Sequence, residues 1–230
     1  MTHLFESTGR RDVGGEGVLR LALPKARLLD RSRALLAALG VAGDPRVYRY
    51  QRADQRIRVW LVRMRDVPML LENGDVDLGV APDEWIENGS GTLVRLERLG
   101  WYNARLALLA EAGSRVARDP VEKWGPIRVA TEYPRVASRF LRTRGVAHEI
   151  LGVHGSAEAF VPSIADVVVD VIETGRTMAR HGLTEIAPVL DCDVHLLARP
   201  DLPEDPALAA LVDTVRRAAR RTAKTALEIA

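Results

Sequence analysis

Two carboxylates, two hydroxyls and a glycine fall within one short run, Asp170-Val-Ile-Glu173-Thr174-Gly175-Arg176-Thr177, directly behind a β-branched stretch formed by Val167, Val168, Val169, Val171 and Ile172. A stretch this apolar, with no period-2 alternation, reads as a strand buried on both faces. The glycine between hydroxyls then reads as a turn into a short helix. Main-chain N–H groups at such a turn have no intrahelical partner and favour an anion, and Gly175 lets a phosphate approach the backbone closely. Thr174 and Thr177 add hydroxyl donors, while Asp170 and Glu173 place acceptors at the strand end. Phosphate donors beside hydroxyl acceptors point to a ribose phosphate. The competing reading is an ordinary tight turn with Thr174 or Thr177 as helix N-cap.

Other residues bear on the same chemistry. Lys25 and Arg27 stand where a helix begins, an unfavourable place for cations by a few tenths of a kcal/mol, so an anionic neighbour would offset them; solvated surface charges are the alternative. Glu158 follows Ser156 at the start of a short helical turn, where capping accounts for it as well as binding does. Trp60, Trp85, Trp101 and Trp124 include candidates for stacking on a base, although core packing is the commoner role. His3, His148, His154, His181 and His195 are scattered and read as surface or core residues.

The elements that must position these groups follow from pattern and punctuation. Strands are expected over 18–23, 57–63, 77–81, 104–110, 127–131, 148–153, 167–172 and 194–198. Helices are expected from Pro24–Arg27 to Leu39, after Asp66 as N-cap, over Pro134–Arg144 with Val136, Ala137, Phe140 and Leu141 inward, and over Ala207–Ile229. Residues 1–17 read as a glycine-rich, mobile leader. Alternating strands and helices imply an α/β architecture with a largely parallel sheet.

Composition narrows the function classes. The 230 residues are 47% hydrophobic, enough for one large core or two small ones. With 33 basic against 31 acidic residues, the net charge of +2 demands neither nucleic acid nor an anionic membrane. The basic face of the last helix (Arg216, Arg217, Arg220, Arg221, Lys224) reads as solvated. The single cysteine, Cys192, excludes an internal disulfide and a cysteine-based metal cluster, and a cytoplasmic setting is the expectation.

Taken together, the motifs resemble those of the ATP phosphoribosyltransferase family. Asp170-Val-Ile-Glu-Thr-Gly-Arg-Thr177 looks like the family's phosphoribosyl-pyrophosphate loop. Gly155-Ser-Ala-Glu158, Arg128-Val-Ala-Thr-Glu-Tyr-Pro134, Leu21-Ala-Leu-Pro-Lys-Ala-Arg-Leu28, Arg65-Asp-Val-Pro68 and Asp77-Leu-Gly79 are similar to five further signatures, in order along the chain. Two positions depart from the pattern. Ala26 stands where the family usually has glycine, and Pro82-Asp83 replaces a Gly-Lys-like pair, both expected to face the cleft.

The resemblance implies a two-lobe fold like that of type II periplasmic binding proteins, with the active site between the lobes: lobe I from 18–103 plus 192–230, lobe II from 104–191. It implies transfer of a phosphoribosyl group from phosphoribosyl pyrophosphate to N1 of ATP, the first step of histidine biosynthesis, with Mg²⁺ carried by the substrates and no metal held by protein side chains. Asp170 and Glu173 would be catalytic, and residues 173–177 with Asp170 would hold the donor. Lys25, Arg27, Arg65, Asp77 and Glu158 would face nucleotide or pyrophosphate. The chain resembles the family's short form, implying a homo-oligomer that also assembles with a regulatory subunit similar to histidyl-tRNA synthetase, with no nucleic-acid or membrane partner. A non-catalytic nucleotide-binding paralogue or sensor, and a phosphoribosyltransferase for another base, are the competing readings.

Overall fold

The computed structural model describes residues 17–41, 44, 47–101, 104–203 and 205–227. The expected leader, up to residue 16, lies outside these residues, as do the lobe boundary at 102–103 and the end of the last helix at 228–230.

The chain runs through β1 (Leu19–Pro24), α1 (Leu29–Ala38), β2 (Arg49–Gln51), β3 (Ile57–Val62), α2 (Asp66–Glu72), β4 (Leu78–Pro82), α3 (Asp83–Asn88) and β5 (Val94–Arg98). It continues through β6 (Ala104–Glu111), α4 (Arg115–Arg118), β7 (Ile127–Thr131), α5 (Pro134–Arg142), β8 (His148–Gly152), β9 (Val167–Ile172), α6 (Arg176–Arg180), β10 (Leu183–Cys192), β11 (Val194–Ala198) and α7 (Pro206–Leu227). Two mixed sheets result, ordered β2-β3-β1-β4-β11-β5 and β10-β6-β9-β7-β8. Each has its own helices, so the fold is two α/β lobes. The chain passes between them at β5 to β6 and again at β10 to β11.

Hydrophobic patterning explains both cores. In the first, Leu19, Leu21 and Leu23 of β1 meet Leu35 of α1, and Leu211 and Val215 of α7 close the same cluster. In the second, Val136, Ala137, Phe140 and Leu141 of α5 pack on Ile127 and Val129 of β7 and on Val167 and Val169 of β9. Those four α5 side chains are the ones the 3.6-residue period selects. β9 is the middle strand of the second sheet, antiparallel to β6 and parallel to β7, which is why its run is almost unbroken Val.

The structure differs from the expected elements in several places. α2 begins at Asp66 itself, and its N-cap, Arg65, makes no side-chain cap bond. Residues 183–192, unassigned by pattern, form β10, an edge strand whose register against β6 shifts near Ala187 and Pro188. The short helices α3 and α4 are not among the expected elements.

Candidate active site

The C-terminal end of β9 delivers the chemistry. Its neighbours are fixed by hydrogen bonds: Thr131 Oγ1 donates to Val169 O at 2.8 Å and accepts from Tyr133 N–H at 2.9 Å, tying the turn after β7 to β9. Over this strand end lies a cavity of about 280 Å³ lined by Arg27, Glu158, Asp170, Glu173, Thr174, Gly175, Arg176 and Thr177, with Leu109, Val171, Ile172 and Met178 as its apolar part. Arg27 comes from the first lobe and the rest from the second, so the cavity is interlobe.

The turn into α6 adopts a left-handed conformation at Gly175 (φ +72°), which serves as N-cap without any side-chain cap bond. Thr174 and Thr177 therefore do not cap the helix. The residues of this turn line the cavity. α6 has only five residues, so its dipole is small, and an anion at this turn would be held by local N–H and hydroxyl donors.

Asp170 is half-buried in the cavity wall, its Oδ1 accepting Val171 N–H at 2.7 Å. Burial pushes its carboxyl well above the usual carboxylate range, to about 7, and the nearby Glu158 and Glu132 carboxylates push the same way against that hydrogen bond. Glu158 sits on a 3₁₀ turn, Ala157–Phe160, whose N-cap Ser156 makes no side-chain cap bond, so capping does not account for it. Arg27 crosses the cleft, its Nη1 donating to Glu173 Oε1 at 2.6 Å while Nη2 lies 3.7 Å from Glu84 Oε1.

Glu84 is a residue that sequence reasoning missed. It belongs to α3 and is fully buried at the lobe junction, where its charge, after burial itself, helps push the Tyr133 hydroxyl and the Cys192 thiol upward. A carboxylate beside Trp85 just after an apolar strand was the available signal. Tyr133 stacks at a tilt on Trp85, ring centroids 4.7 Å apart, joining the lobes behind the cavity. Of the four tryptophans, then, Trp85 packs at the junction and Trp101 lies buried in the first core.

Three sequence candidates lie outside the cavity lining. Lys25 Nζ sits 4.6 Å above the Tyr48 ring, and Arg65 reaches across the lobes, its Nη1 3.2 Å from His154 Nδ1. His154, read as surface or core, is thus a bridging residue. Asp77 is a correction: at the start of β4 it pairs with Arg20 (2.8 Å) and Arg199 (3.1 Å) and accepts Arg20 N–H, away from the C-terminal strand ends that form the cleft. A buried carboxylate between two guanidiniums is a structural lock, and its position before Leu78-Gly79 concealed this.

The two departures are structurally resolved. Ala26 holds φ +60°, the conformation a glycine would take there, at a cost of about 1 kcal/mol. Asp83 is not among the residues lining the cavity; it accepts Asp193 N–H at 2.9 Å and lies 3.0 Å from His195 Nε2 and 3.2 Å from Arg95 Nη2. Burial disfavours its charge, yet the hydrogen bonds from His195 and Asp193 N–H prevail and hold the carboxyl below its ordinary value.

Around one interlobe cavity the fold gathers a cross-lobe arginine, a turn without side-chain caps and two carboxylates, in a two-lobe α/β protein. The chain belongs to the ATP phosphoribosyltransferase family: the family model described as HisG, ATP phosphoribosyltransferase, matches residues 63–217. An ATP phosphoribosyltransferase of Thermococcus kodakarensis is 40% identical over 182 residues, covering 78% of this chain and 86% of that one. One of Geobacter metallireducens is 31% identical over 185 residues, covering 78% and 87%. The fold is shared with the ATP phosphoribosyl transferase (HisG:HisZ) complex from Thermotoga maritima, at TM-score 0.77 and 24% identity over 89% of this chain and 100% of that one. An ancestral arginine-binding protein shares it more distantly, at TM-score 0.56 and 13% identity over 92% and 97%.

Proposed function

We infer that the chain transfers the phosphoribosyl group of phosphoribosyl pyrophosphate to N1 of ATP, yielding phosphoribosyl-ATP and pyrophosphate, the entry step of histidine biosynthesis. The observation that carries this reading is the interlobe cavity at the end of β9, where an uncapped main-chain turn, two carboxylates and Arg27 converge.

In this reading the N–H groups and hydroxyls of residues 174–177 seat the 5-phosphate. Asp170 and Glu173 accept from the ribose hydroxyls, and their charge stabilises positive character developing at C1 as pyrophosphate departs. The leaving group is good and the nucleophile is a neutral ring nitrogen, so alignment of N1 with C1 contributes more than proton transfer. Arg27 moves from Glu173 to the pyrophosphate or ATP phosphates, where a guanidinium contacts two oxygens at once. Lys25 and Arg65 would meet the outer phosphates. Asp77 takes no part.

Mg²⁺ would enter with the substrates and offset the charge of their phosphates. Among the described residues no group of three or more His, Cys, Asp or Glu is arranged to hold a metal ion. We assign residues 18–103 with 192–230 to lobe I and 104–191 to lobe II, the two passages between sheets acting as the hinge. A hetero-oligomer with a HisZ-type subunit, as in the Thermotoga maritima complex, and a homo-oligomer of this chain complete the proposal. No described helix is long and apolar enough to cross a membrane.

The test is direct. Full-length protein is mixed with ATP, phosphoribosyl pyrophosphate and Mg²⁺, with and without a HisZ-type subunit, and phosphoribosyl-ATP is sought by its absorbance and mass. Product in either mixture is expected; its absence from both, under conditions where the donor binds, would refute catalysis.

A further inference from the structure

We propose that Asn88 is a positioning residue for the phosphoribosyl transfer: from lobe I it caps helix α5 of lobe II, and so fixes the angle at which the two halves of the site face each other. The inference rests on the phosphoribosyl reading of the site and deepens it.

Helix α5 begins without a cap of its own. Its N-cap residue, Tyr133, makes no side-chain cap bond, and Pro134 takes the first helical position, where it has no N–H to satisfy. The next amide, Arg135 N–H, has no acceptor within the helix. Asn88, the last residue of α3, supplies one: its Oδ1 accepts Arg135 N–H at 2.9 Å. A main-chain N–H can be answered only by the amide oxygen, so the contact itself sets the orientation of the Asn88 side chain. Asparagine is among the best residues for this role, ordinarily on its own helix. Here the partners lie 47 residues apart and on opposite lobes.

The start of α3 is anchored where the chain re-enters lobe I between β10 and β11. Asp83 N–H donates to Asp193 O at 2.9 Å, and Asp83 Oδ2 accepts Asp193 N–H at 2.9 Å. Further along α3, Trp85 stacks on Tyr133, and Glu87 joins Arg95 of β5 (2.9 Å) to Arg139 of α5 (3.1 Å). That ion pair across the lobes is half-exposed and contributes little, which leaves the cap as the directional contact.

Beyond the cap, the path reaches the chemistry. Tyr133 N–H donates to Thr131 Oγ1 at 2.9 Å, and Thr131 Oγ1 donates to Val169 O at 2.8 Å, one residue before Asp170. Two contacts at the cleft mouth, Arg27 with Glu173 and Arg65 with His154, cross between the lobes as well. The reaction draws on Arg27, Glu173 and Arg65, so those bonds are given up as substrates enter. Asn88 and the Arg135 main chain take no part in it, and the cap persists through turnover. It keeps the lobe carrying Arg27 in register with Asp170 while N1 and C1 are brought into line, a geometry in which a shift of about 1 Å costs about a hundredfold in rate. The donor seat, Asp170 with residues 173–177, lies wholly in lobe II, so donor affinity is spared.

The test compares full-length wild type, Asn88→Ala and Asn88→Asp, the last keeping an acceptor oxygen and adding a charge that the N-terminus of α5 favours. Amide hydrogen exchange at Arg135 is expected to be about fivefold faster or more in Asn88→Ala, and close to wild type in Asn88→Asp. With ATP, phosphoribosyl pyrophosphate and Mg²⁺, and a HisZ-type subunit where wild type requires it, single-turnover formation of phosphoribosyl-ATP should fall about tenfold to a hundredfold in Asn88→Ala and recover to within about threefold in Asn88→Asp. Donor affinity by calorimetry should stay within about twofold throughout, and melting temperature within about 4 °C. An unchanged rate or unchanged Arg135 exchange in Asn88→Ala would overturn the proposal, as would a rate loss that Asn88→Asp does not recover. Donor affinity falling in parallel with the rate would overturn it too, because it would mark a general loss of structure rather than of lobe register. Absence of product from the wild type would instead overturn the phosphoribosyl reading itself.

Discussion

Gly175→Val is the substitution that discriminates most sharply between an anion seat and an ordinary turn. Gly175 holds φ +72°, and a Cβ added there would meet only Met178 Cε at 3.7 Å, an ordinary van der Waals distance. Steric exclusion is therefore not the cost. The left-handed conformation costs a side-chain-bearing residue about 1–2 kcal/mol, and more for a β-branched one. The cheaper escape is rotation of the peptide, which turns N–H groups away from the cavity. Each hydrogen bond to a charged partner lost in this way is worth about 1.5–3 kcal/mol, or about a tenfold to hundredfold loss of affinity for phosphoribosyl pyrophosphate. Gly145 supplies the control: it holds φ +69° after α5 with nothing within 4 Å of an added Cβ. Gly145→Val should lower the melting temperature by roughly 4–8 °C, as expected for about 2 kcal/mol in a chain of this size, and leave donor affinity intact. Gly175→Val should show a similar loss of stability and at least tenfold weaker binding by calorimetry. Equal melting losses with unchanged affinity in both variants would refute the anion seat.

Other expectations follow from the same structure. Ala26→Gly removes left-handed strain and should stabilise the protein by about 1 kcal/mol, a rise of roughly 2–4 °C in thermal melts; an unchanged or lower melting temperature would contradict the strain. Asp170 has a folded-state carboxyl raised to about 7, so the folded protein binds the extra proton and stability is lost as pH rises from about 4 to about 7; Asp170→Asn should therefore gain stability over wild type across that window, by a few kcal/mol at its upper end, as read from melting temperature against pH. Parallel curves would contradict this. Asp83 is the opposite case, its folded carboxyl held low, so its stabilisation is present above about pH 4 and lost as pH falls further, and Asp83→Asn should flatten the acid limb of the stability curve. Arg27→Met should lower kcat/KM by about a hundredfold while leaving the melting temperature within a few degrees, because its ion pair with Glu173 is half-exposed.

Much of the site was readable in the chain because its chemistry is contiguous. Asp170 to Thr177 sit on one strand end and one turn, so spacing alone placed carboxylates and donors together, and β9 was legible because a central strand buried on both faces must be apolar throughout. Helix α5 was equally legible, since its apolar positions follow the helical period without interruption. What escaped was set by tertiary contact. β10 contains Pro188 and register shifts and lies on a sheet edge, so its residues do not alternate as a paired strand does. His154 gains meaning only across the lobe junction, through Arg65, and Glu84 only beside Arg27 and the second lobe's Tyr133. Asp77 was misplaced because a motif position says that a carboxylate is needed without saying for which partner; Arg20 and Arg199, 57 and 122 residues away, supply the answer.

The central claim is that the turn from β9 into α6 grips the 5-phosphate of the donor. A crystal of the full-length protein soaked with phosphoribosyl pyrophosphate and Mg²⁺ tests it most directly. The expected result is a phosphate within hydrogen-bonding distance of the main-chain N–H groups of residues 174–177, with the ribose hydroxyls on Asp170 and Glu173. A donor bound elsewhere in the cleft, with that turn vacant, would contradict the claim.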